Sequence, residues 1–191
     1  MAVASTMLSL GTELPKFLLT DVRTGESVGS DDFVDRPLLV VFLCVHCPYV
    51  KRIQSGLARF GNDFGGTELA IVGIASNDTN AYPEDAPKNQ ARVANEVGFI
   101  FPILFDESQE VARAFTAACT PDFFLFDHEH RLAYRGQFDG ARPSNEVEVT
   151  GESLRAATKA VLAREEVKVE QVPSLGCSIK WRPEGAPVTL R

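Results

Sequence analysis

An almost unbroken apolar run from Leu38 to Val45 is the feature that most narrows how this chain can fold. The run is rich in valine and leucine and opens directly after Pro37. A strand that faces water on one side alternates apolar and polar residues, whereas a continuous run is typical of a central strand covered on both faces. The sequence therefore predicts a layered α/β domain with a buried sheet.

A cysteine pair stands where this predicted strand ends. Cys44-Val45-His46-Cys47 closes the run, and Pro48 suits the first turn of a helix, because a residue there needs no N–H. Apolar residues then recur at helical spacing until Gly65-Gly66, namely Val50, Ile53, Leu57, Phe60 and Phe64. The pair is thus predicted to lie at a strand-to-helix junction.

The rest of the chain alternates between strand and helix patterns, which indicates a mainly parallel sheet. An N-terminal hairpin is predicted around Arg23-Thr24-Gly25, and a second hairpin around residues 127–130. The remaining predicted elements are a strand at Leu69–Ala75, helices at Lys88–Glu96, Glu107–Ala117 and Glu152–Arg164, and a strand at Phe101–Phe105. Asp106 is a candidate cap for the second of these helices.

The length and the net charge of the chain limit the number of domains and the kinds of partner that it can have. A chain of 191 residues fits one domain, which we place at residues 1–165, with a C-terminal tail at 166–191 packed on it. The net charge of −7 argues against nucleic acid or an anionic membrane as a partner. Because residues 1–11 carry no basic residue and no long apolar core, we expect a cytoplasmic protein.

The cysteine pair carries the predicted chemistry. A cysteine that opens a helix points its sulfur at unpaired N–H groups and the positive end of the helix dipole, which favours the thiolate, so Cys44 is the predicted nucleophile. Cys47 is predicted within the first helical turn on the same face, where it can resolve a mixed disulfide formed on Cys44. His46 adds a group that can be cationic near neutral pH and would lower the pKa of Cys44 further.

Two other interpretations compete with this one. A C-x-x-C motif can be half of a zinc site, with His128, His130, Cys119 or Cys177 as further ligands. It can also be inert, since buried cysteines often serve only as small apolar side chains. The strand-to-helix context favours redox chemistry, and we predict neither a metal nor any other cofactor.

The motif and three other segments resemble a known family. Cys44-Val45-His46-Cys47-Pro48-Tyr49, followed about seventy residues later by Thr120-Pro121, is similar to the thioredoxin-like superfamily, in its redoxin branch of alkyl hydroperoxide reductases and thiol-specific antioxidants. With the segments 82–87 and 176–181, the chain resembles bacterial proteins labelled probable thiol-disulfide isomerase or thioredoxin. The resemblance covers Leu10 to Pro183.

This resemblance implies a thioredoxin-like fold with a central mixed sheet flanked by helices, an N-terminal hairpin extension and an extended C-terminal tail. It also implies a cis Thr120-Pro121 bond that faces the cysteine pair and leaves backbone groups free to pair with a bound peptide. Two positions depart from the family, since Leu43 replaces a tryptophan and Leu38 replaces a buried acid. His46, or an acid of the 77–85 loop, is a candidate for the missing proton acceptor.

Thiol-disulfide exchange is the leading functional hypothesis, with a disulfide-containing protein or small molecule as substrate and a cellular thiol as reductant. Peroxide reduction is the alternative, although the peroxidase motif falls on Pro37, Val41 and Cys44 and therefore lacks its hydroxyl. A zinc-binding or redox-sensing module is the non-enzymatic alternative. Cys119, next to Thr120, and Cys177, in a tail anchored by Ile179 and Trp181, are candidate additional redox thiols, though a structural role is favoured for each.

Overall fold

The computed structural model describes residues 2–183, which form a seven-stranded mixed sheet, a small three-stranded sheet and four α-helices. This confirms the predicted α/β class. The helices are α1 (Pro48–Phe64), α2 (Pro87–Val97), α3 (Glu110–Ala114) and α4 (Glu152–Leu162). The strands are β1 (Ala2–Ala4), β2 (Leu18–Asp21), β3 (Ser27–Gly29), β4 (Leu38–Phe42), β5 (Ala70–Ala75), β6 (Ile103–Phe105), β7 (Cys119–Thr120), β8 (Asp122–Phe126), β9 (Leu132–Gly136) and β10 (Leu175–Ser178).

Strand β4 is central in the large sheet, whose order is β3-β2-β6-β5-β4-β8-β9. It pairs in parallel with β5 and antiparallel with β8. Of the strand pairs that the structure describes in this sheet, only β4-β5 and β5-β6 are parallel, so the mainly parallel sheet predicted from the strand-helix alternation is wrong, because both hairpins add antiparallel strands. Leu39 and Val41 belong to one apolar cluster, whereas Leu38, Val40 and Phe42 belong to the cluster on the opposite face. Because side chains alternate along a strand, covering both faces requires the continuous apolar run seen in the sequence.

Both predicted hairpins form. Strands β2 and β3 pair antiparallel, but β2 also pairs with β6, so this hairpin completes one side of the large sheet and does not stand apart as an extension. Strands β8 and β9 form the hairpin at the opposite edge.

The helices follow the sequence pattern with one exception. Helix α1 begins at Pro48 and ends at Phe64, where the Gly65-Gly66 signal placed its end. Helix α3 is shorter than predicted, because Gln109 takes a left-handed conformation immediately before it. The Asp106 carboxylate nevertheless accepts the Ala112 N–H at 2.9 Å, so it caps the first turn as expected.

The tail contains a strand that the sequence did not indicate. Strand β10 pairs antiparallel with β1 on one side and with β7 on the other. Ile179 is buried and Trp181 packs against an apolar cluster, which confirms both predicted anchors. Residues 184–191 of the predicted tail lie outside the described residues, and the division of the chain at residue 165 stays a prediction.

This topology brings three segments together at one end of the strands of the large sheet. Since β4 and β5 are parallel, the segments that follow them leave the sheet at the same end. Strand β8, antiparallel to β4, begins at that end, directly after Thr120-Pro121. Within the described part of the chain, no helix is long and apolar enough to cross a membrane.

Candidate active site

The cysteine pair occupies the junction between β4 and α1, as the sequence predicts. Cys44 lies two residues beyond the end of β4, and its side chain is almost enclosed, with 3% of the residue exposed. Cys47 is completely buried. All four cysteines are thiols in this structure, so the pair is in its reduced state.

The predicted position of Cys47 within the first helical turn is wrong by one residue. Cys47 is the N-cap, in an extended conformation with φ −67° and ψ 123°, and Pro48 is the first helical residue. The cause is local, because the proline ring clashes with a helical conformation of the residue before it. The helix-start position that the sequence assigned to Cys44 is therefore held by Cys47.

Thr120 contacts both sulfurs. Its Oγ1 lies 3.2 Å from Cys44 Sγ, and its carbonyl oxygen lies 3.1 Å from Cys47 Sγ. The Thr120-Pro121 peptide bond is cis and follows β7, which confirms the bond expected at this position. The same threonine therefore offers a hydroxyl to one sulfur and a hydrogen-bond acceptor to the other.

The expectation that Thr120 leaves its backbone free for a bound peptide is wrong. Thr120 pairs with Cys177 in the antiparallel register between β7 and β10. Gly176 lies so close that an added Cβ would stand 2.1 Å from the Thr120 carbonyl oxygen. Strand β10 of the chain itself therefore occupies the position beside the Thr120 backbone.

The two thiols of the pair titrate together. A hydrogen-bond interaction with Cys47, then burial and then the charge of Asp85 raise the pKa of Cys44. The same interaction with Cys44 lowers the pKa of Cys47 to about 5, against the effect of burial and with help from Cys177. The first proton therefore leaves the pair at low pH and the second is retained, so that one proton is shared by two sulfurs. The sequence predicted a lowered pKa for Cys44; in the structure the lowered pKa belongs to the coupled pair, and its assignment to Cys44 stays a prediction.

Asp85 is the loop acid that reaches the pair. It is 1% exposed, and its Oδ1 accepts the Val45 N–H at 2.9 Å while its Oδ2 accepts the Asn77 amide at 2.7 Å. Both donors belong to segments that follow the parallel strands β4 and β5. Asp85 thus ties the backbone between the two cysteines to the neighbouring loop.

His46 lies on the outer side of this carboxylate. Its Nδ1 is 2.6 Å from Asp85 Oδ2, although the ring N–H is not aligned for a hydrogen bond. The imidazole stacks on the Tyr82 ring, with centroids 5.8 Å apart, and Lys180 Nζ lies 5.7 Å from the centre of the same ring. His46 therefore forms part of a polar surface beside Cys44.

Cys119 and Cys177 differ in their surroundings. Cys119 is completely buried, and burial is the main cause that raises its pKa. Cys177 is half-buried, packs against the apolar cluster that contains Cys47, and has its pKa raised to about 11, first by burial and then by its interaction with Cys47. Only Cys177 thus combines access to solvent with a place beside the pair.

The alternative prediction of a zinc site with His128 or His130 as a ligand is wrong. His128 pairs with Glu68 at 3.1 Å, and His130 Nε2 lies 3.0 Å from the Phe33 carbonyl oxygen. Both lie at the end of the sheet opposite the cysteines, because β8 runs antiparallel to β4. Among residues 2–183, ligand atoms suited to a metal converge only at Cys44, His46 and Asp85, within 4.8 Å of one another.

Sequence reasoning left open which loop acid serves the pair and did not single out Asn77 or Lys180. The Lys180 N–H donates to Asn77 Oδ1 at 2.9 Å, which joins the tail to the same network. The position of residues 77–85 after the strand beside β4 was the available signal for Asp85. The sequence carried no signal for Lys180, because its contact depends on how the tail folds back.

Comparisons with known proteins agree with this architecture. An uncharacterized conserved protein from Geobacillus kaustophilus is 49% identical, with a TM-score of 0.93 over 96% of this chain and 97% of that one. A hypothetical protein from Sinorhizobium meliloti 1021 is 46% identical, with a TM-score of 0.91 over 94% of this chain and 98% of that one. The thioredoxin domain of a thiol-disulfide oxidoreductase from Bacteroides vulgatus shares the fold at 17% identity, with a TM-score of 0.61 over 81% of this chain and 99% of that one.

A comparison with curated proteins gives no significant match. The sequence model of the AhpC/TSA family matches residues 10–135, a segment that includes Cys44, Cys47 and Thr120-Pro121. That segment is more than half of the chain and contains the central strand with the complete cysteine pair. With its thioredoxin-like fold, the chain therefore belongs to the AhpC/TSA family.

Proposed function

We propose that this protein is a thiol-disulfide oxidoreductase in which Cys44 is the nucleophile and Cys47 the resolving thiol. The observation that carries the proposal is the convergence of both sulfurs on Thr120, at 3.2 Å and 3.1 Å. Two thiols held against one residue at a strand-to-helix junction are placed to cycle between a dithiol and a disulfide.

The exchange proceeds in two displacements. Cys44 Sγ attacks one sulfur of the substrate disulfide, forms a mixed disulfide and expels the other sulfur as a thiolate, which takes up a proton. Cys47 then attacks Cys44 Sγ, the intramolecular disulfide forms, and the remaining substrate sulfur leaves reduced. A separate thiol reductant restores the dithiol, so the cycle needs no cofactor beyond the cysteines.

We assign the roles of the two sulfurs from their exposure to solvent and from the proton that they share. Cys44 is the one with exposed surface, whereas Cys47 has none. When a substrate reaches Cys44, the shared proton moves to Cys47, whose thiol can donate to the Thr120 carbonyl oxygen at 3.1 Å. The Thr120 hydroxyl then stabilises the Cys44 thiolate. The lowered pKa of the pair keeps this single negative charge available at neutral pH.

Asp85 acts as a positioning residue in this proposal, and His46 acts as a proton donor. The Asp85 carboxylate fixes the Val45 N–H and with it the backbone that joins the two cysteines. His46, beside Asp85 and half-buried, is placed to return a proton to the leaving substrate sulfur. Substrates are disulfides of proteins or small molecules.

Trapping the mixed disulfide tests the proposal. We expect Cys47→Ser, incubated with oxidised glutathione, to accumulate glutathione on Cys44, because the resolving thiol is gone. Cys44→Ser should react much more slowly, since Cys47 is enclosed, and Cys119→Ser, which alters another buried thiol, should cycle like the wild type. Equal capture by the Cys47→Ser and Cys44→Ser variants, measured by intact mass and peptide mapping, would contradict the assigned roles.

Peroxide reduction is a second candidate, favoured by the Thr120 hydroxyl beside Cys44. The peroxidase motif has a hydroxyl-bearing residue where this chain has Val41. The hydroxyl of Thr120, in β7, lies beside Cys44 and can replace it. The Cys44 thiolate would attack the peroxide, become a sulfenic acid and release water or an alcohol, and Cys47 would condense with it to give a disulfide and water. Hydrogen peroxide consumption that is rapid in the wild type and lost in Thr120→Val would support this function, whereas slow consumption by both proteins would exclude it.

A further inference from the structure

We propose that Cys177 is a third redox thiol of this site, which replaces Cys44 as the disulfide partner of Cys47. The proposal rests on the dithiol function described above and extends it. It assigns a chemical role to the strand β10, which the sequence did not predict and the two-cysteine cycle does not use.

The first argument is the strand register. Cys177 pairs directly with Thr120 in the ladder between β10 and β7. The carbonyl oxygen of this same Thr120 lies 3.1 Å from Cys47 Sγ. Cys177 packs against the apolar cluster that holds Cys47, and its interaction helps to lower the pKa of the Cys47 thiol. Cys47 thus interacts with two other thiols, Cys44 in the segment after β4 and Cys177 in β10.

The second argument is that Cys177 is held in place. Gly176, the residue before it, is in such close contact with the Thr120 carbonyl that no side chain fits between them. Ser174 and Ile179 are buried on either side. The Lys180 N–H, bonded to Asn77 at 2.9 Å, fixes the following segment. The thiol is therefore presented to Cys47 by an anchored strand.

The exchange is balanced within the protein. In the oxidised protein, the Cys177 thiolate attacks Cys47 Sγ, the Cys47–Cys177 bond forms and the Cys44–Cys47 bond breaks. The electron pair of the broken bond leaves with Cys44, which takes up the proton that Cys177 lost. No external oxidant or reductant takes part. The result is an oxidised protein in which Cys44, the sulfur with access to substrate, is free to react again.

Cys119 provides the internal comparison. It precedes Thr120 and is completely buried, and its thiol is directed at the Pro121 carbonyl oxygen at 3.7 Å. Cys177 interacts with Cys47 through hydrogen bonding, whereas Cys119 is affected by Cys47 only through its charge. A thiol that is merely near the site should behave like Cys119, whereas a redox partner should behave as proposed for Cys177.

The test removes Cys44 and asks where Cys47 forms a bond. Cys44→Ser is incubated with oxidised glutathione, free thiols are alkylated in acid, and peptides are mapped without reduction. Because Cys47 is enclosed, the half-buried Cys177 first takes glutathione, and Cys47 then displaces it, so two protein thiols are oxidised as one glutathione disulfide is reduced. We expect a Cys47–Cys177 peptide pair as the main product, retained in Cys44→Ser/Cys119→Ser and absent from Cys44→Ser/Cys177→Ser, in which Cys47 stays largely reduced.

The same disulfide mapping of the wild-type protein distinguishes the two proposals, and its result does not depend on whether a variant folds. It should show the Cys44–Cys47 bond together with Cys47–Cys177 as a second species. If wild type forms Cys44–Cys47 but neither it nor Cys44→Ser ever links Cys47 to Cys177, the role of Cys177 is overturned and the dithiol function stands. If wild type forms no Cys44–Cys47 bond, the dithiol function itself fails.

Discussion

Replacing Gly176 by alanine tests how closely the tail is packed against the site. An ideal Cβ at this position would lie 2.1 Å from the Thr120 carbonyl oxygen and 2.6 Å from its carbon. Since both contacts are with backbone, no side-chain rotation relieves them, and β10 must move by about 1 Å to restore van der Waals distance. Overpacking of this kind costs about 1–3 kcal/mol. We expect Gly176→Ala to lower the free energy of unfolding by that amount in urea titrations.

The same variant should also change the chemistry of the pair. Because Cys177 helps to lower the pKa of Cys47, moving β10 away should raise that pKa. The control is Gly66→Ala, since an added Cβ at Gly66 meets nothing within 4 Å. If Gly176→Ala is as stable as Gly66→Ala, and its cysteines are alkylated with the same pH dependence, the close packing of the tail on Thr120 is refuted.

Three further predictions concern titration and buried polar contacts. The reduced pair should react with iodoacetamide at a rate that rises with a midpoint near pH 5, from the lowered pKa of Cys47, and a single midpoint near pH 9 would contradict the shared-proton account. Burial raises the pKa of Asp122 from 3.8 to about 7, so the unfolded chain ionises first and stability should fall as pH rises through this interval, by about 4 kcal/mol. Urea titrations at pH 5 and pH 8, which span the upper part of this interval, should show a loss of about 3 kcal/mol in wild type and none in Asp122→Asn. Asp85→Ala leaves two donors without their acceptor and should cost about 2–5 kcal/mol, whereas Glu84→Ala, an exposed neighbour, should cost nothing measurable in the same titrations.

Local patterns sufficed for the elements that form the frame of the site. The apolar run at Leu38 predicts a strand buried on both faces, and the Pro48 and Gly65 signals predict both ends of α1. These signals work because they depend on covalent geometry and on side-chain alternation, which act over a few residues. The position of the cysteine pair followed from the same two elements.

Contacts between distant segments were not predictable in the same way. Strand β10 has no alternating pattern, and it forms because β1 and β7 provide backbone partners on both sides. The effects of Cys47, of burial and of Asp85 on the pKa of Cys44 were not predicted, because they depend on how the segments around the pair fold. The proline effect at Cys47, in contrast, was visible in the sequence and was missed.

The most direct test of the central claim is a redox titration of the wild-type pair. Purified protein is equilibrated over a series of reduced-to-oxidised glutathione ratios and quenched in acid, and its disulfides are located and quantified by mass spectrometry. The account predicts a reversible two-electron transition in which Cys44 and Cys47 become linked, at the same ratio whether approached from the reduced or the oxidised side. Absence of any Cys44–Cys47 bond across the whole series would contradict it.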